Sequence, residues 1–511
     1  MPLPSTFAGA SARSEGEFLG SYGPPPIAGP YFINVEVPVP DQTGTFGMSD
    51  QVHATCVDSS GNIYTTSIGW VTGSASCVTV SKYNSSGVVQ WATGFNVTNS
   101  VSSVGGAFPL PYYMAVDSSG TVYAQYYFVP QGTGISTCYV AKFNGSTGSL
   151  ITCLNVGTPV LGYVDLSGNM YFYDNVSNGN GGYNAVLYKY NSSNSCVWKS
   201  VYYSSSGQAS STSQISGCVV DSSGNIYLSM QGTSVNTNLM SYIAKLDSSG
   251  QSVWEVKVGA NTYGIALDNS GNIFVASNFV PSGGASVNGY TSKGLILSYT
   301  NSGAFRWGWY GQSPTWFDGC TLFTVATDSS GNVFVGGVAN SASFASNGGV
   351  VAKFNNSGTL LTSGSLYGSA SSSSNDTESN GIRTVVVDRS GNTYWVGAVQ
   401  SNKATSGSKT TYNVAEGILI KDTNSIMSTH SGSFTVNSNV TANWTTGTTN
   451  NNMAFSGTGT LNSSVAGTSF TYVIYPSGTL STVSAIFGNA LTNTNGSYST
   501  GPGISNYKVT I

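Results

Sequence analysis

Charge is what this sequence most lacks. Only 7% of its 511 residues are Asp, Glu, Lys or Arg, with 16 basic and 20 acidic side chains and a net charge of −4. Average proteins contain about 25% charged residues. Because Lys and Arg form no cluster, the electrostatic attraction that dominates nucleic-acid binding has no source. We therefore predict no nucleic-acid partner.

Long apolar runs, metal motifs and histidines are also scarce. The apolar runs are far shorter than the ~20 residues that cross a bilayer, so we predict no membrane span. The seven cysteines include no Cys-x-x-Cys pair, and the two histidines, His53 and His430, lie far apart without a Ser or Cys motif nearby. We predict no metal site, no cofactor and no nucleophilic catalysis. The first 13 residues lack a basic region and an apolar stretch, so we expect no secretory signal.

Turn-forming and aromatic residues dominate what is present. The chain contains 64 Gly, 31 Tyr and 21 Phe, and its hydrophobic fraction is 40%. Such a fraction is enough to bury a core, while frequent Gly, Asn and Ser supply turns between short strands. This composition predicts an all-β protein.

A repeat built on an Asp-x-Ser-Gly turn occurs seven times, at spacings of 59, 48, 56, 47, 60 and 60 residues. The Asp side chain of such a turn accepts a hydrogen bond from the backbone N–H two residues on, and the Gly adopts the positive φ that closes a hairpin. β-branched and aromatic residues flank each copy, which is typical of strands. The predicted turn residues are Asp58, Gly61, Asp117, Gly120, Asp165, Gly168, Asp221, Gly224, Asp268, Gly271, Asp328, Gly331, Asp388 and Gly391.

A second, looser signature follows each copy, as in Lys82-Tyr-Asn-Ser-Ser-Gly87 with Trp91. Two hairpins make four strands, and a repeated four-stranded unit of about 50 residues is typical of a propeller blade. The sequence thus predicts a seven-bladed β-propeller over residues 31–425. Two segments are candidates for the outer strand that the last blade lacks: residues 425–429, which we favour, and residues 31–37.

The two motifs together, Val-Asp-Ser-Ser-Gly-Asn-Ile-Tyr and Ala-Lys-Tyr/Phe-Asn-Ser-Ser-Gly, resemble the SBBP repeats of bacterial β-propellers, which are related to the NHL propellers. The resemblance covers about residues 40–425. It implies a binding scaffold without a defined chemistry, because that family is functionally mixed. The sequence departs from the pattern at Leu166, at Ser298, which replaces the usual Lys, and in repeat seven, which lacks the second Gly.

The two ends of the chain differ from the repeats. Residues 1–30 are rich in Gly, Pro, Ser and Ala, which predicts an extended N-terminal arm. Their opening, Met-Pro-Leu-Pro-Ser, resembles the start of many tailed-phage structural proteins. In residues 426–511 the repeat is absent and apolar residues recur with period two. This pattern predicts a small C-terminal β-sandwich-like domain, or strands that pair with a partner chain.

Ligand binding is expected on the face that carries connections of variable length, because both short turns of each repeat lie on the other face. One connection concentrates aromatic side chains of the kind that stack on sugar rings or anchor a protein partner. Aromatic residues in such connections also pack over blade edges. The candidate ligand-binding residues are Trp309, Tyr310, Trp316, Phe317 and Asp318.

Three functions stay open from the sequence. We favour a non-enzymatic virion component, a phage tail, fibre or capsid-surface protein, that displays the propeller for adhesion and host attachment. Its partners would be other virion proteins, bound through both ends in an oligomer or larger assembly, and a cell-surface glycan. The alternative is a bacterial cell-surface or secreted, extracellular propeller that binds glycans or proteins. A carbohydrate-active hydrolase or lyase is the third, although turns account for most Asp residues and the remaining acids are scattered, without the pairing that glycosidases need.

Overall fold

A computed structural model of the chain describes two sets of residues. The first covers the repeats: 31–33, 51–71, 75–86, 89–96, 108–129, 137–177, 183–202, 213–232, 241–258, 260–279, 293–310, 320–339, 348–367, 381–388, 390–403 and 412–422. The second consists of short strands between residues 430 and 498. The arm predicted for residues 1–30 lies outside both sets. No helix in the described residues is long and apolar enough to cross a membrane.

The chain forms an all-β propeller in which six blades each contain four consecutive antiparallel strands. After β1 (Tyr31–Ile33), blade one holds β2 (Gln51–Val57), β3 (Ile63–Val71), β4 (Ala75–Tyr83) and β5 (Val89–Asn96), blade two holds β6 (Phe108–Val116), β7 (Thr121–Val129), β8 (Thr137–Asn144) and β9 (Leu150–Gly157), and blade three holds β10 (Val160–Val164), β11 (Met170–Ser177), β12 (Tyr183–Tyr190) and β13 (Cys196–Tyr202). Blade four holds β14 (Ser213–Val220), β15 (Ile226–Gly232), β16 (Ser241–Leu246) and β17 (Ser252–Val258), blade five holds β18 (Asn261–Leu267), β19 (Ile273–Phe279), β20 (Lys293–Tyr299) and β21 (Phe305–Tyr310), and blade six holds β22 (Cys320–Thr327), β23 (Val333–Ala339), β24 (Gly348–Phe354) and β25 (Leu360–Tyr367). The all-β propeller predicted from the repeats is confirmed.

The seventh repeat contributes β26 (Gly381–Val387), β27 (Thr393–Lys403) and β28 (Tyr412–Asp422) to a sheet whose fourth strand is β1. β1 runs antiparallel to β28, with Tyr31 opposite Lys421. The segment that we favoured for this place, residues 425–429, is therefore wrong. The open edge of β28 accepts one strand, and the Tyr-Phe-Ile sequence of β1, which is aromatic and β-branched, suits that edge.

Of the described strands after β28, all but β35 and β36 extend two of the blades, and those two pair with each other. They are β29 (His430–Thr435), β30 (Val440–Trp444), β31 (Gly447–Thr448), β32 (Ala454–Phe455), β33 (Thr458–Leu461), β34 (Ser469–Pro476), β35 (Leu491–Asn493) and β36 (Gly496–Tyr498). β30 adds to the outer strand β5 of blade one, and β34 adds to the outer strand β25 of blade six. The small, separate β-sandwich predicted here is not confirmed.

In the Asp-x-Ser-Gly turn, both carboxylate oxygens of the Asp accept hydrogen bonds. In blade one, Asp58 Oδ1 accepts the backbone N–H groups of Ser60 and Asn62, each at 2.9 Å. Asp58 Oδ2 accepts the side-chain amide of Asn62 at 2.8 Å and the hydroxyl of Tyr64 at 3.0 Å. Gly61 has a φ of 78°, and the other six turn glycines have values between 75° and 81°. The turn thus ties the Asp of the repeat to its Tyr across a hairpin.

The first strand of each blade lies innermost. β2 contacts β6, β6 contacts β10, and the succession continues through β14 and β18 to β22. Buried apolar side chains of these strands, such as Val57, Met114 and Ile265, build the core between neighbouring blades. In an antiparallel blade the first and third hairpins lie at the same end. The two short turns of every blade therefore share one face of the propeller, here called the turn face, and the variable connections lie on the opposite face.

Candidate functional site

The Lys and Trp of the second signature, in the blades that have them, join a blade to the next one at the turn face. In blade one, Lys82 Nζ and Trp91 Nε1 both donate to the backbone carbonyl of Gly145 in blade two, at 2.8 and 3.0 Å. Lys82 also lies over the ring of Tyr64, 5.3 Å from its centre, a cation–π contact. These side chains stabilise the interface between blades.

Blade five reaches the same arrangement with a different cation. Ser298 stands where the other blades have Lys, and Arg306 from the neighbouring strand takes over the role. Arg306 Nη1 donates to Ser298 Oγ at 2.9 Å, and Nη2 donates to the backbone carbonyl of Asn356 in blade six at 3.1 Å. The guanidinium lies 5.6 Å from the ring centre of Phe274. The departure at Ser298 is thus compensated nearby.

The glycine of the second turn packs against the Trp of the preceding blade. A Cβ on Gly250, whose φ is 82°, would lie 3.0 Å from the ring of Trp198. Blade three has Asn194 at this position, with a φ of 68°. The preceding blade has Thr152, a smaller side chain, in the Trp position. The glycine is thus replaced where the preceding blade has no tryptophan, because the smaller threonine leaves room for a side chain.

The opposite face is marked by a bulge in the first strand of every repeat. Six of the seven bulges include the residue five positions before the turn Asp, and the seventh lies three positions before it. At about 3.3 Å per residue, five residues place the bulge roughly 16 Å from the turn, near the variable end of the strand. β-bulges re-aim side chains and are frequent next to active sites. The bulge residues are His53, Tyr112, Gly162, Ser216, Tyr263, Phe323 and Arg383.

In blades five and six the bulge side chains contact each other. The rings of Tyr263 in blade five and Phe323 in blade six meet edge to face, with centres 5.4 Å apart. Arg383, on the first strand of the next sheet, is 7% exposed. Tyr112 is half-buried. The innermost strands thus bring aromatic rings and a guanidinium to one level of the propeller, near its axis.

A buried acceptor accompanies this aromatic pair. The amide of Asn278 bonds to the side chain of Tyr263 and donates to Thr321 Oγ1 at 3.2 Å. Asn278 Oδ1 is buried and has no hydrogen-bond partner within the described part of the chain. Burial raises the pKa of Tyr263 to about 12, so its phenol is neutral at physiological pH.

The structure describes two of the five candidate ligand-binding residues predicted from the sequence. Trp309 packs edge to face on Phe354 of blade six, with ring centres 5.0 Å apart, which is the packing over a blade edge that the sequence left as the alternative. Tyr310 is 50% exposed at the end of the outer strand β21. Trp316, Phe317 and Asp318 lie outside the described residues. Trp309 and Tyr310 therefore lie at the rim of the variable face, away from the bulge residues.

Sequence reasoning missed the bulge residues. It assigned no role to His53 beyond excluding it from a catalytic motif, and none to Tyr112, Tyr263, Phe323 or Arg383. An alignment of the seven repeats on their turn Asp shows a column, five residues earlier, that contains residues of very different chemistry. The next column, four residues before the Asp, varies as much, so diversity alone does not single out the bulge position.

Comparisons with known proteins add little to this description. No family model matches the chain, and no curated protein is similar to it in sequence. Similar solved structures include a protein of unknown function from Bacteroides caccae (12% identity, 50% of this chain and 78% of that one, TM-score 0.31) and one from Dyadobacter fermentans DSM 18053 (11%, 65% and 98%, TM-score 0.37). A subtype N11 neuraminidase-like protein of A/flat-faced bat/Peru/033/2010 (H18N11) is also similar (11%, 62% and 88%, TM-score 0.37). Likenesses at this level carry no information on function.

Proposed function

We propose that this chain is a non-enzymatic, seven-bladed β-propeller of a virion surface, such as a phage tail, fibre or capsid, that attaches to a glycan of the host surface. The observation that carries the binding role is the column of bulge residues. Residues at one position of a repeat that differ while the scaffold is maintained are expected to serve recognition. Aromatic rings and a guanidinium are groups that recognise sugars.

The seven-bladed ring is supported by contacts of the last sheet. Its first strand, β26, contacts β22 of blade six, and it also contacts β2 of blade one. β1 supplies the fourth strand of this sheet from the N-terminal part of the chain. Because propellers of four to eight blades are common, seven sheets arranged in this way fit one closed ring.

The non-enzymatic role is supported by how the acidic residues of the repeats are used. All seven turn Asp side chains accept backbone N–H groups of their own turns. Asp174, on the variable side, accepts the hydroxyl of Thr158 at 2.6 Å and the backbone N–H of Asn175 at 2.8 Å. Carboxylates engaged in this way stabilise the scaffold.

The virion role is supported by the ends of the chain. The opening Met-Pro-Leu-Pro-Ser resembles phage structural proteins, and residues 426–511 contain one charged side chain, Lys508. The described strands of this region reach the outer edges of blades one and six. A segment that attaches at the rim leaves the variable face open for a ligand.

A glycan array tests the binding role and the position of the site together. We expect the full chain, at concentrations where it is monomeric, to bind a defined set of glycans. Tyr112→Ala at the bulge should weaken binding by about tenfold, since stacking on one aromatic ring is worth ~1 kcal/mol or more. Tyr310→Ala at the rim is the matched control and should leave binding unchanged.

Two outcomes would contradict this assignment. Loss of binding in Tyr310→Ala with full binding in Tyr112→Ala moves the site to the rim. Absence of binding to any glycan removes the glycan from the proposal. Immunogold labelling of purified particles tests the virion role separately, and labelling confined to bacterial cell surfaces would favour the alternative of a bacterial surface propeller.

A further inference from the structure

The sheet of the seventh repeat is the least firmly held part of the propeller. Its fourth strand, β1, comes from the other end of the chain and pairs with β28 at three residues, Tyr31–Ile33. The fourth strands of the six blades pair with their third strands at five to seven residues. Because strand pairs are held by backbone hydrogen bonds, a short fourth strand secures its sheet less well. We therefore expect the ring to open first at the seventh sheet.

The strands after β28 join the two blades that flank this sheet. β29 and β34 belong to the sheet of blade six, where β34 pairs with β25 from Gly364 to Tyr367. β30 and β33 belong to the sheet of blade one, where β30 pairs with β5 at Thr93 and Gly94. β36 contacts β27 of the seventh sheet itself. One stretch of chain thus reaches blade six, the seventh sheet and blade one.

The chain passes between blades six and one twice, through two short links. β29 ends at Thr435 and β30 begins at Val440, so four residues connect them. β33 ends at Leu461 and β34 begins at Ser469, so seven residues connect these two strands. At no more than ~3.6 Å per residue, the first link spans at most about 18 Å and the second at most about 29 Å. Blades six and one can therefore move far apart only if an added strand leaves its blade.

We propose that strands β29 to β34 form a clasp that connects blade six to blade one and so keeps the seventh sheet closed between them. This inference rests on the seven-bladed ring proposed above, but on no ligand of the variable face. The first strand of the seventh sheet carries Arg383, one of the bulge residues. The clasp therefore also keeps this part of the variable face in place.

Hydrogen exchange of the full chain, measured by mass spectrometry, tests the clasp. In the double variant Val473→Pro, Ile474→Pro, one of the two prolines removes an N–H that faces β25, since successive N–H groups point to opposite edges of a strand. Exchange in β26, β27 and β28 should become about tenfold faster, because the seventh sheet opens more often. Exchange in blades three and four, on the far side of the ring, should stay unchanged. The matched control Val473→Ile, Ile474→Val keeps both N–H groups and should exchange like the wild type.

A reversible lock tests the clasp without weakening it. Ser365 and Tyr475 lie opposite each other where β25 pairs with β34. Opposite residues of antiparallel strands have Cα atoms ~4.5–5.5 Å apart, a separation that a disulfide bridges. In the variant Ser365→Cys, Tyr475→Cys, oxidation should slow exchange in β26, β27 and β28 by about tenfold, and reduction should restore the wild-type rate.

Four outcomes would overturn the clasp. Faster exchange confined to β25 and the added strands of the proline variant would show that these strands do not hold the ring. Equal acceleration in all blades would show a general loss of stability, and a lock without effect on β26, β27 and β28 would show that the clasp does not limit opening. Fast exchange of these three strands in the wild type would contradict the closed ring and, with it, the clasp. Absence of glycan binding changes none of these measurements, so failure of the binding role is distinguishable from failure of the clasp.

Discussion

The turn face and the variable face of this propeller use the same repeat in opposite ways. On the turn face, equivalent residues make equivalent bonds: the Asp closes its own turn, and the Lys and Trp bind the next blade. On the variable face, equivalent bulge positions hold residues as different as Ser216, Phe323 and Arg383. Uniform positions indicate selection for the scaffold. The proposed recognition role rests on the bulge positions, which vary while the backbone stays the same.

Glycine substitutions at the turn face should have the largest effect on stability. Gly358 has a φ of 85°, and an added Cβ would lie 2.5 Å from the ring of Trp307. Gly358→Ala therefore combines backbone strain with overpacking and should lower the free energy of unfolding by about 3 kcal/mol. Chemical denaturation of the purified variant measures this loss.

Substitutions at two further glycines separate the backbone strain from the overpacking. Gly120 has a φ of 81° but no atom within 4 Å of an added Cβ, so Gly120→Ala should cost only the strain, about 1 kcal/mol. Gly308 has no positive φ, and its nearest neighbours lie at 3.4 Å, an ordinary contact distance. Gly308→Ala should change stability by less than ~0.5 kcal/mol. Equal effects of Gly358→Ala and Gly120→Ala would show that the packing on Trp307 is unimportant.

The turn face was predictable from sequence because its causes are local. An Asp, a Gly and an aromatic residue at fixed spacing define a hairpin without knowledge of distant partners. The strand that pairs with β28 was not predictable in this way, since Tyr31 and Lys421 are far apart in the sequence. The bulge residues were missed for a related reason. A bulge is defined by its partner strand, and the first strands of different blades come together only in the assembled propeller.

Alkaline pH should weaken the turn face through its buried tyrosines. Burial, followed by the charge and hydrogen bond of Asp388, raises the pKa of Tyr394 above its usual value of 10.0. In the unfolded chain Tyr394 loses its proton near pH 10, whereas the folded chain retains it. Its contribution to stability is therefore complete below about pH 10 and declines as pH rises further, by ~1.4 kcal/mol per pH unit.

Tyr394→Phe isolates this effect. Repeats five and six already have Phe274 and Phe334 at the equivalent position, so the ring fits. At pH 8 the variant should be about 1 kcal/mol less stable than the wild type, because it loses the hydrogen bond to Asp388. Above pH 10 the wild type should lose stability more steeply, so the difference should shrink and vanish near pH 11, roughly one unit above the unfolded pKa. Urea midpoints that stay equally separated across this range would show that Tyr394 ionises alike in both states.

The exchange of cations in blade five should have a small net effect and is the sharpest test of uniformity on the turn face. If Arg306 replaces the missing Lys, Ser298→Lys alone should place two cations at the carbonyl of Asn356, and Arg306→Val alone should leave that carbonyl without its guanidinium donor. Each single variant should lose about 1 kcal/mol. The double variant reproduces blade four, where Lys245 pairs with Trp254 and Val253 precedes that Trp. It should recover most of the loss, with a coupling energy of about 1 kcal/mol in a double-mutant cycle measured by urea denaturation. Additive losses would mean that Arg306 and the Lys of the other blades are not equivalent. The turn face would then be less uniform than the repeat implies.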